Sequence, residues 1–406
     1  MDKRQKKHEQ KQLKKESKNN STSSTEVQNQ SQDQEEEVKV PLPIPEQAQT
    51  QQTHLKRPFS EMSKYQTTPP CNIDMHQIGV VTNSDGVEQS MSKFIFSRYK
   101  VFERLGPAQG PQKQVYLVQD IYDNYRTLVL KLFMFNESSL FNHEFGNNVD
   151  IIECITNYQV TKIRHEAYSD SMPDFYLDGS LFKKYALLVF PYHKNQTVLD
   201  FIKKSIECKV TLSDELKAYL CYGVAKATHE LHTICGKAHM DIKLDNYVFD
   251  ENFNIMHIDF GAALKLDGTQ NKNATFGTEK YSSPEYHSGE PIDNEKFDVF
   301  ALGIVFFNIH FRAHLFKKAK LPDENYRIIA SGNFENFFNK FRGESNNIRD
   351  RFIFLDLVWQ CLKKQHARSR LNEVISHEYF HQIRQQQGQP SQAVCSEIIS
   401  ILRMSK

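Results

Sequence analysis

Regular hydrophobic patterning begins near Tyr99. The stretch Val115-Tyr-Leu-Val reads as a strand, and Thr127 to Phe135 as a second. Successive side chains of a strand point to opposite faces, so Val129, Lys131 and Phe133 share one face and Leu128, Leu130 and Leu132 the other. A single lysine inside so apolar a strand needs an anionic partner. Tyr185 to Phe190 reads as a further strand. From about Val210 the period changes to that of a helix: Ser213 suits the N-cap and Asp214 and Glu215 the first turn. Leu216, Leu220, Val224, Ala227 and Leu231 then form one apolar stripe. Two short strands, Tyr247-Val-Phe and Ile255 to Ile258, interrupt the helical part. Beyond them Phe352, Leu355 and Trp359 recur at helical spacing and are read as core. Strands first and helices after predict an α+β protein with two unequal lobes.

Residues 1 to about 92 carry no such pattern. They are rich in Gln, Lys, Ser, Asn and Glu and cannot bury enough apolar surface to offset ordering entropy, so they read as a disordered tail. The basic lead (Lys3-Arg4, Lys6-Lys7, Lys14-Lys15) is better read as solvated than as a nuclear address, and Pro41–Pro45 as a spacer rather than a docking motif. Ser60 and Thr68 stand in short contexts suited to phosphorylation. With a net charge of +1, nothing global favours nucleic acid as a partner. Seven scattered cysteines without a CxxC pair fit a reducing compartment rather than a disulfide framework or zinc site. No apolar run reaches the roughly 20 residues of a membrane span. The expected setting is intracellular, cytoplasmic or nuclear.

The chemistry is concentrated in His239-Met240-Asp241-Ile242-Lys243-Leu244-Asp245-Asn246 and the following Asp259-Phe260-Gly261. A carboxylate, an amine, an amide and a second carboxylate fall within a short span. They are the groups needed to handle a nucleoside triphosphate, its magnesium ions and an acceptor hydroxyl. Asp241 suits a catalytic base, and Lys243 can neutralise charge on a transferred phosphoryl group. Asn246 and Asp259 offer oxygen to magnesium, a hard cation. Gly261 gives the backbone freedom to turn beside the metal. The plainer reading is a polar loop with Asp and Asn as turn formers. It serves for any one residue and fails for the set.

The spacing resembles the catalytic and magnesium loops of eukaryotic protein kinases, and the resemblance runs from about Tyr99 to Ile383. It implies a kinase domain over 97–383, with an N-lobe at 97–191, a C-lobe at 192–383 and a C-terminal tail with helical spacing at 384–406. It implies ATP and Mg2+ as cofactors. Lys131 resembles the strand lysine that holds the α- and β-phosphates. Leu105, Gly106, Gly110, Val115, Val129, Phe190 and Tyr192 would line the nucleotide site, with Phe190-Pro191-Tyr192 as gatekeeper and hinge. Gly277 to Glu285 resembles the end of an activation segment containing Thr275, in which Thr278 would bridge Asp241 and Lys243. The resemblance pairs Glu285 with Arg370, makes Asp298 the holder of the catalytic-loop backbone, and stacks His239 on Phe260 in a hydrophobic spine. Lys243 and the Gly-Thr-x-x-Tyr-x-Ser-Pro-Glu ending are of the serine/threonine type.

Three features depart from the family pattern. The phosphate-covering loop, Leu105-Gly-Pro-Ala-Gln-Gly-Pro111, has two glycines and two prolines, and proline has no N–H for a phosphate. The partner of Lys131 is open: Asn148 falls at the family position by ungapped counting, Glu144 lies one helical turn earlier and is narrowly favoured, and Glu153 comes after. Met240 stands where an arginine usually receives an activation-loop phosphate, so activation is expected to depend weakly or not at all on phosphorylation at Thr275.

His314-Leu-Phe-Lys-Lys-Ala-Lys, Asp323-Glu-Asn-Tyr326 and Phe337-Phe338 resemble the lower lobe of calcium/calmodulin-dependent-like kinases. Val394, Ile398, Ile399 and Leu402 suggest a tail helix packed back on the domain rather than a regulatory one. His193 and His232 are read as ordinary polar or core residues. The sequence therefore points to a serine/threonine protein kinase with a protein substrate, monomeric, engaging neither nucleic acid nor membrane, with possible partners of the N-terminal tail. The rival from another class is a pseudokinase scaffold. A small-molecule kinase is the weaker third reading.

Overall fold

The computed structural model describes residues 79–82, 88–91, 94–95, 98–105, 113–134, 143–144, 146–148, 150–151, 164–167, 175–177, 180–182, 185–270, 276–344 and 347–404. Pro41–Pro45, Ser60, Thr68, Gly106, Gly110, Glu153 and Thr275 lie outside the described residues.

Strands β1 (Gly79–Thr82) and β2 (Glu88–Met91) pair antiparallel. They fall inside the stretch read as disordered up to about residue 92. The overlooked signal was local: Asp85-Gly86, a favoured hairpin dipeptide, sits between two short runs. Next come β3 (Phe94–Ile95), β4 (Tyr99–Arg104), β5 (Lys113–Asp120), β6 (Arg126–Met134), β7 (Arg164–Ala167), β8 (Phe175–Leu177), β9 (Ser180–Phe182) and β10 (Tyr185–Pro191). Six of them form one antiparallel sheet in the order β3-β4-β5-β6-β10-β7.

The alternation in β6 sorts its side chains. Leu128, Leu130 and Leu132 are buried and join Ile95, Tyr99, Tyr116, Val118 and Val189 in the sheet's own core. Val129 and Lys131 emerge on the other face, with Lys131 in register with Val115 on β5 and Leu188 on β10. A buried bidentate pair, Arg98 to Asp120 at 2.9 and 2.8 Å, ties the approach to β4 to the end of β5.

The rest is mainly helical: α1 (Val198–Glu207), α2 (Asp214–Cys235), α3 (Pro284–Ser288), α4 (Asn294–Phe311), α5 (Glu324–Ala330), α6 (Phe334–Phe341), α7 (Ile348–Leu362), α8 (Leu371–Ser376), α9 (His381–Gln385) and α10 (Gln392–Arg403). Helix α2 starts where Ser213 accepts a hydrogen bond from the Leu216 N–H and stops at Gly236, which takes the left-handed conformation. Its predicted stripe is buried throughout. Helix α4 is apolar on nearly every side, as a helix surrounded by protein must be. It centres a large core shared with α2 and α7. Leu355 and Trp359 belong to that core, but Phe352 is 47% exposed and lies against Phe334 and Phe338 of α6. Helix α10 packs on α1 and α2 through Val394, Ile398 and Ile401, with Leu402 partly covered. No helix among the described residues is long and apolar enough to cross a membrane.

Candidate active site

Two short strands, β12 (Tyr247–Phe249) and β13 (Ile255–His257), follow β11 (Lys237–Ala238) and lie between the two halves of the polar motif. The loop between β11 and β12 is held from below. Asp298, fully buried in α4, accepts the His239 N–H at 2.6 Å and the Met240 N–H at 2.8 Å. His232 of α2 meets the same carboxylate at 2.9 Å. This grip supports a left-handed backbone at Met240 (φ 62°), a conformation that costs a non-glycine residue of order 1–3 kcal/mol. Met240 itself is buried against Ala238, Ile292 and Phe297, so an apolar side chain fills this position.

Asp241 is the hub of the loop. Its Oδ2 receives the Lys243 ammonium at 2.6 Å and its Oδ1 the Thr278 hydroxyl at 2.8 Å. Lys243 also reaches Thr278 Oγ1 at 3.0 Å, closing a triangle. Asn246 donates its amide to the Asp241 carbonyl at 2.9 Å and carboxylate at 3.2 Å. Thr278 can come this close because Gly277 precedes it. Gly277 adopts φ +71°, and a Cβ there would stand 2.6 Å from the Met240 carbonyl oxygen.

The second cluster crosses the molecule. Lys131 Nζ lies 2.6 Å from Glu144 Oε1 and 2.9 Å from Asp259 Oδ1, with the Phe190 ring 5.1 Å away. The partner left open by counting is thus Glu144. Asn148 instead turns its amide to the Glu144 carbonyl at 2.7 Å. Asp259 has φ 65°, and Gly261 follows where a Cβ would meet Glu144 Oε2 at 2.9 Å. His239 and Phe260 lie 5.6 Å apart between ring centroids. His257, which sequence reasoning missed, stacks on His239 at 4.4 Å and touches Tyr247 at 4.2 Å. Burial, reinforced by the two neighbouring histidines, holds its pKa well below the usual histidine value, so it stays neutral.

A third group was not foreseen. Asn147, on the Glu144 helix, donates its amide to the carbonyls of Phe260 (3.0 Å) and Ala263 (2.9 Å). Its own amide oxygen accepts from Lys237 of β11 at 3.0 Å, and Lys237 also pairs with Asp150 at 2.9 Å. These bonds tie the helix carrying Glu144 to the segment after Asp259.

Glu285 does not pair with Arg370. Its partner is Arg368, fully buried, whose Nη2 lies 3.1 Å from both carboxylate oxygens. Arg368 also donates to the carbonyls of Lys363 and Lys296 and lies over the Phe300 ring. Arg370 is 59% exposed and meets Glu295. A buried carboxylate needs a fully desolvated planar donor, and only Arg368 points inward.

Lys131, Asn246 and Asp259 line one cleft of about 880 Å³, together with Leu105, Val115, Val129, Phe190 and Tyr192. Leu105 is fixed by its N–H to the Val115 carbonyl at 2.8 Å. The volume and the mixture of apolar walls with a few polar groups suit a nucleotide-sized ligand. The donor set also suits magnesium. Asn246 commits its amide N–H to Asp241, which turns its amide oxygen the other way, and Asp259 adds a carboxylate. Among the described residues no three His, Cys, Asp or Glu side chains converge as a dedicated cage. Magnesium needs none, since it takes one or two protein oxygens and completes its shell with phosphate and water.

Residues 99–380 match the protein kinase domain family. The chain belongs to that family. It is similar to the serine/threonine-protein kinase ppk8 of Schizosaccharomyces pombe, 29% identical over 156 residues, covering 37% of this chain and 29% of that protein. It is similar to the serine/threonine-protein kinase Nek8 of Danio rerio, 27% identical over 203 residues, covering 50% and 27% respectively. It also matches the LRR receptor-like serine/threonine-protein kinase ERL1 of Arabidopsis thaliana, 34% identical over 127 residues, covering 30% and 13%. The chain thus spans less than a third of the length of each of these relatives. None of these three names describes a calcium/calmodulin-dependent kinase.

Proposed function

We propose that this kinase domain is catalytically active and transfers the γ-phosphate of ATP to serine or threonine hydroxyls of proteins. The observation that carries the reading is a pair of complete clusters at one cleft: Lys131 and Asp259 of the Lys131–Glu144–Asp259 cluster line it, and Asn246, which also lines it, hydrogen-bonds Asp241 of the Asp241–Lys243–Thr278 cluster. Asp241 orients the acceptor hydroxyl and takes its proton. Lys243 stands beside it to neutralise charge on the phosphoryl group in flight. Lys131, held by Glu144, presents its ammonium to the nucleotide phosphates. Asn246 and Asp259 would hold magnesium, which supplies charge neutralisation on those phosphates. Most of the acceleration is positioning and electrostatics.

A scaffold without phosphotransfer is favoured by one observation, the two prolines and two glycines of the loop Leu105 to Pro111, which offers fewer N–H groups to phosphate. The experiment that separates the readings is transfer of radiolabelled γ-phosphate to a generic acceptor protein by the wild type, Asp241→Asn and Lys131→Met. Activity in the wild type that both substitutions remove supports the enzyme. No transfer by any preparation, with no magnesium-dependent thermal shift by ATP, leaves the scaffold.

A further inference from the structure

The segment that brings Thr278 to Asp241 continues into an exposed basic surface. Lys280 is two residues beyond Thr278, and its ammonium lies 3.2 Å from His314 Nε2 and 5.2 Å from the Tyr281 ring centroid. Tyr281 and His314 are themselves in edge contact at 5.8 Å, and Asn308 of α4 reaches both at 3.4 Å. After His314 the chain runs Leu-Phe-Lys317-Lys318-Ala-Lys320, with Leu315, Phe316 and Ala319 buried and the three lysines exposed. Lys318 pairs with Glu279 at 2.6 Å, which binds this loop to the segment beside Thr278.

The charge of this surface is unbalanced. Among the described residues Lys280, Lys317 and Lys320 have no carboxylate within ion-pairing distance, and the Lys318–Glu279 pair is half-exposed on both sides. His287 and His314 add no charge at neutral pH. Burial lowers the pKa of both, and next in effect is a neighbouring lysine, Lys320 for His287 and Lys280 for His314. The positive field therefore comes from lysines and persists across the physiological range. The carboxylates nearby are Glu279, paired with Lys318; Asp323, which accepts the Lys317 N–H at 3.0 Å; and Asp245 and Asp241 of the catalytic loop, the latter held by Lys243. The ammonium groups of Lys280, Lys317 and Lys320 are the ones left without an ion pair among the described residues.

We propose that this surface receives the substrate, and that the preferred acceptor is a serine or threonine flanked by acidic residues. The proposal rests on the phosphotransfer reading above and adds its substrate class. An arginine-rich peptide arriving at Asp241 would meet like charge at Lys280, Lys318 and Lys320. An acidic one would exchange solvent-screened lysines for ion pairs.

The test uses the full chain, radiolabelled ATP and matched serine peptides bearing Glu, Ala or Arg at each flanking position. Expected is at least one position at which Glu raises kcat/KM about tenfold over Ala and Arg lowers it, the scale of a few part-exposed ion pairs. In Lys280→Glu/Lys318→Glu/Lys320→Glu the Glu-to-Arg ratio inverts. Reading a ratio within one enzyme separates recognition from loss of fold. If that variant does not fold, the wild type still decides, because its Glu advantage must shrink as salt is raised. A wild type that prefers Arg, or does not distinguish the three, overturns the proposal while leaving the kinase reading intact. Transfer to none of the peptides, nor to any generic protein, removes the kinase reading and this proposal with it.

Discussion

Two ammonium–carboxylate clusters, which reach one cleft through Asn246 and Asp259, are built in opposite ways. Asp241, Lys243 and Asn246 come from one loop and bond one another directly, with Thr278 joining them from a segment whose far end is pinned by Glu285 and Arg368. Lys131, Glu144 and Asp259 come from a strand, a helix and the segment after β13, and their alignment holds only while that helix stays in place. The first is pre-assembled by local geometry, the second conditional. Met240, beside the first cluster, is buried and apolar and offers no cation to a phosphate. What holds the Glu144 helix instead is polar and internal: Asn147 on the Phe260 and Ala263 carbonyls, backed by Lys237.

The comparison breaks most sharply at Asp241. Asp241→Asn should lower kcat by roughly a thousandfold, within the range for removing a catalytic base, while a magnesium-dependent thermal shift by ATP survives. Lys131→Met should remove activity and that shift together. Equal loss of the shift in both variants would show that the two clusters are not separable.

Arg368 tests whether the local cluster owes its order to the brace beneath it. Arg368→Ala leaves Glu285 buried and unpaired and should cost about 3–5 kcal/mol of stability. Arg370→Ala removes a pair whose arginine is exposed and can be replaced by water, and should cost less, about 1 kcal/mol. Urea titration of both gives the answer, and similar midpoints would contradict the pairing.

Asn147→Leu addresses the conditional cluster. It keeps the side chain's size but removes the Asn147 amide from the Ala263 carbonyl, leaves the Phe260 carbonyl only the Ala263 N–H, and takes one of Lys237's two partners, Asp150 being the other. Expected is a fall in kcat of about ten- to a hundredfold, equivalent to roughly 1.4–2.7 kcal/mol of barrier, with the KM for protein substrate little changed. A loss confined to thermal stability, at wild-type kcat, would make the contact structural only.

Much of this was legible in the sequence where the information is local. Helix α2 was marked by Ser213 at its start and by its apolar stripe, and the faces of β6 followed from alternation. The Asp241 loop was readable because its groups lie within a few residues. What failed to read depends on distant packing. Choosing between Glu144 and Asn148 required knowing how the helix sits, which counting from a later segment cannot give. Asn147 and Lys237 are 90 residues apart, and nothing in either neighbourhood announces the other. Arg368 and Arg370 flank one serine, and only burial decides which faces Glu285. The exposure of Phe352 has the same origin: helical spacing marks a face, and the neighbouring α6 determines how much of it is covered.

The smallest effect concerns the frame under the local cluster. His310, near the end of the helix that begins close to Asp298, stacks on Phe354 at 3.9 Å. Burial pushes its pKa down to about 3; Arg351 and Lys217 push the same way, and Asp214 opposes them. The unfolded chain holds this histidine near 6.5, so between these values it binds more protons than the folded chain and stability falls as pH falls. From pH 7 to 5.5 the loss from this one residue should be about 1 kcal/mol. His310→Phe retains an aromatic ring against Phe354 and cannot titrate. Its stability relative to wild type should therefore improve by that amount over the same interval, in urea titrations at each pH. Activity per folded molecule at pH 7 should stay within about twofold, because no group of either cluster touches His310. Parallel stability curves for the two proteins would mean that acid sensitivity arises elsewhere, and His257, buried against His239 and held well below the usual histidine value, would then be the place to look.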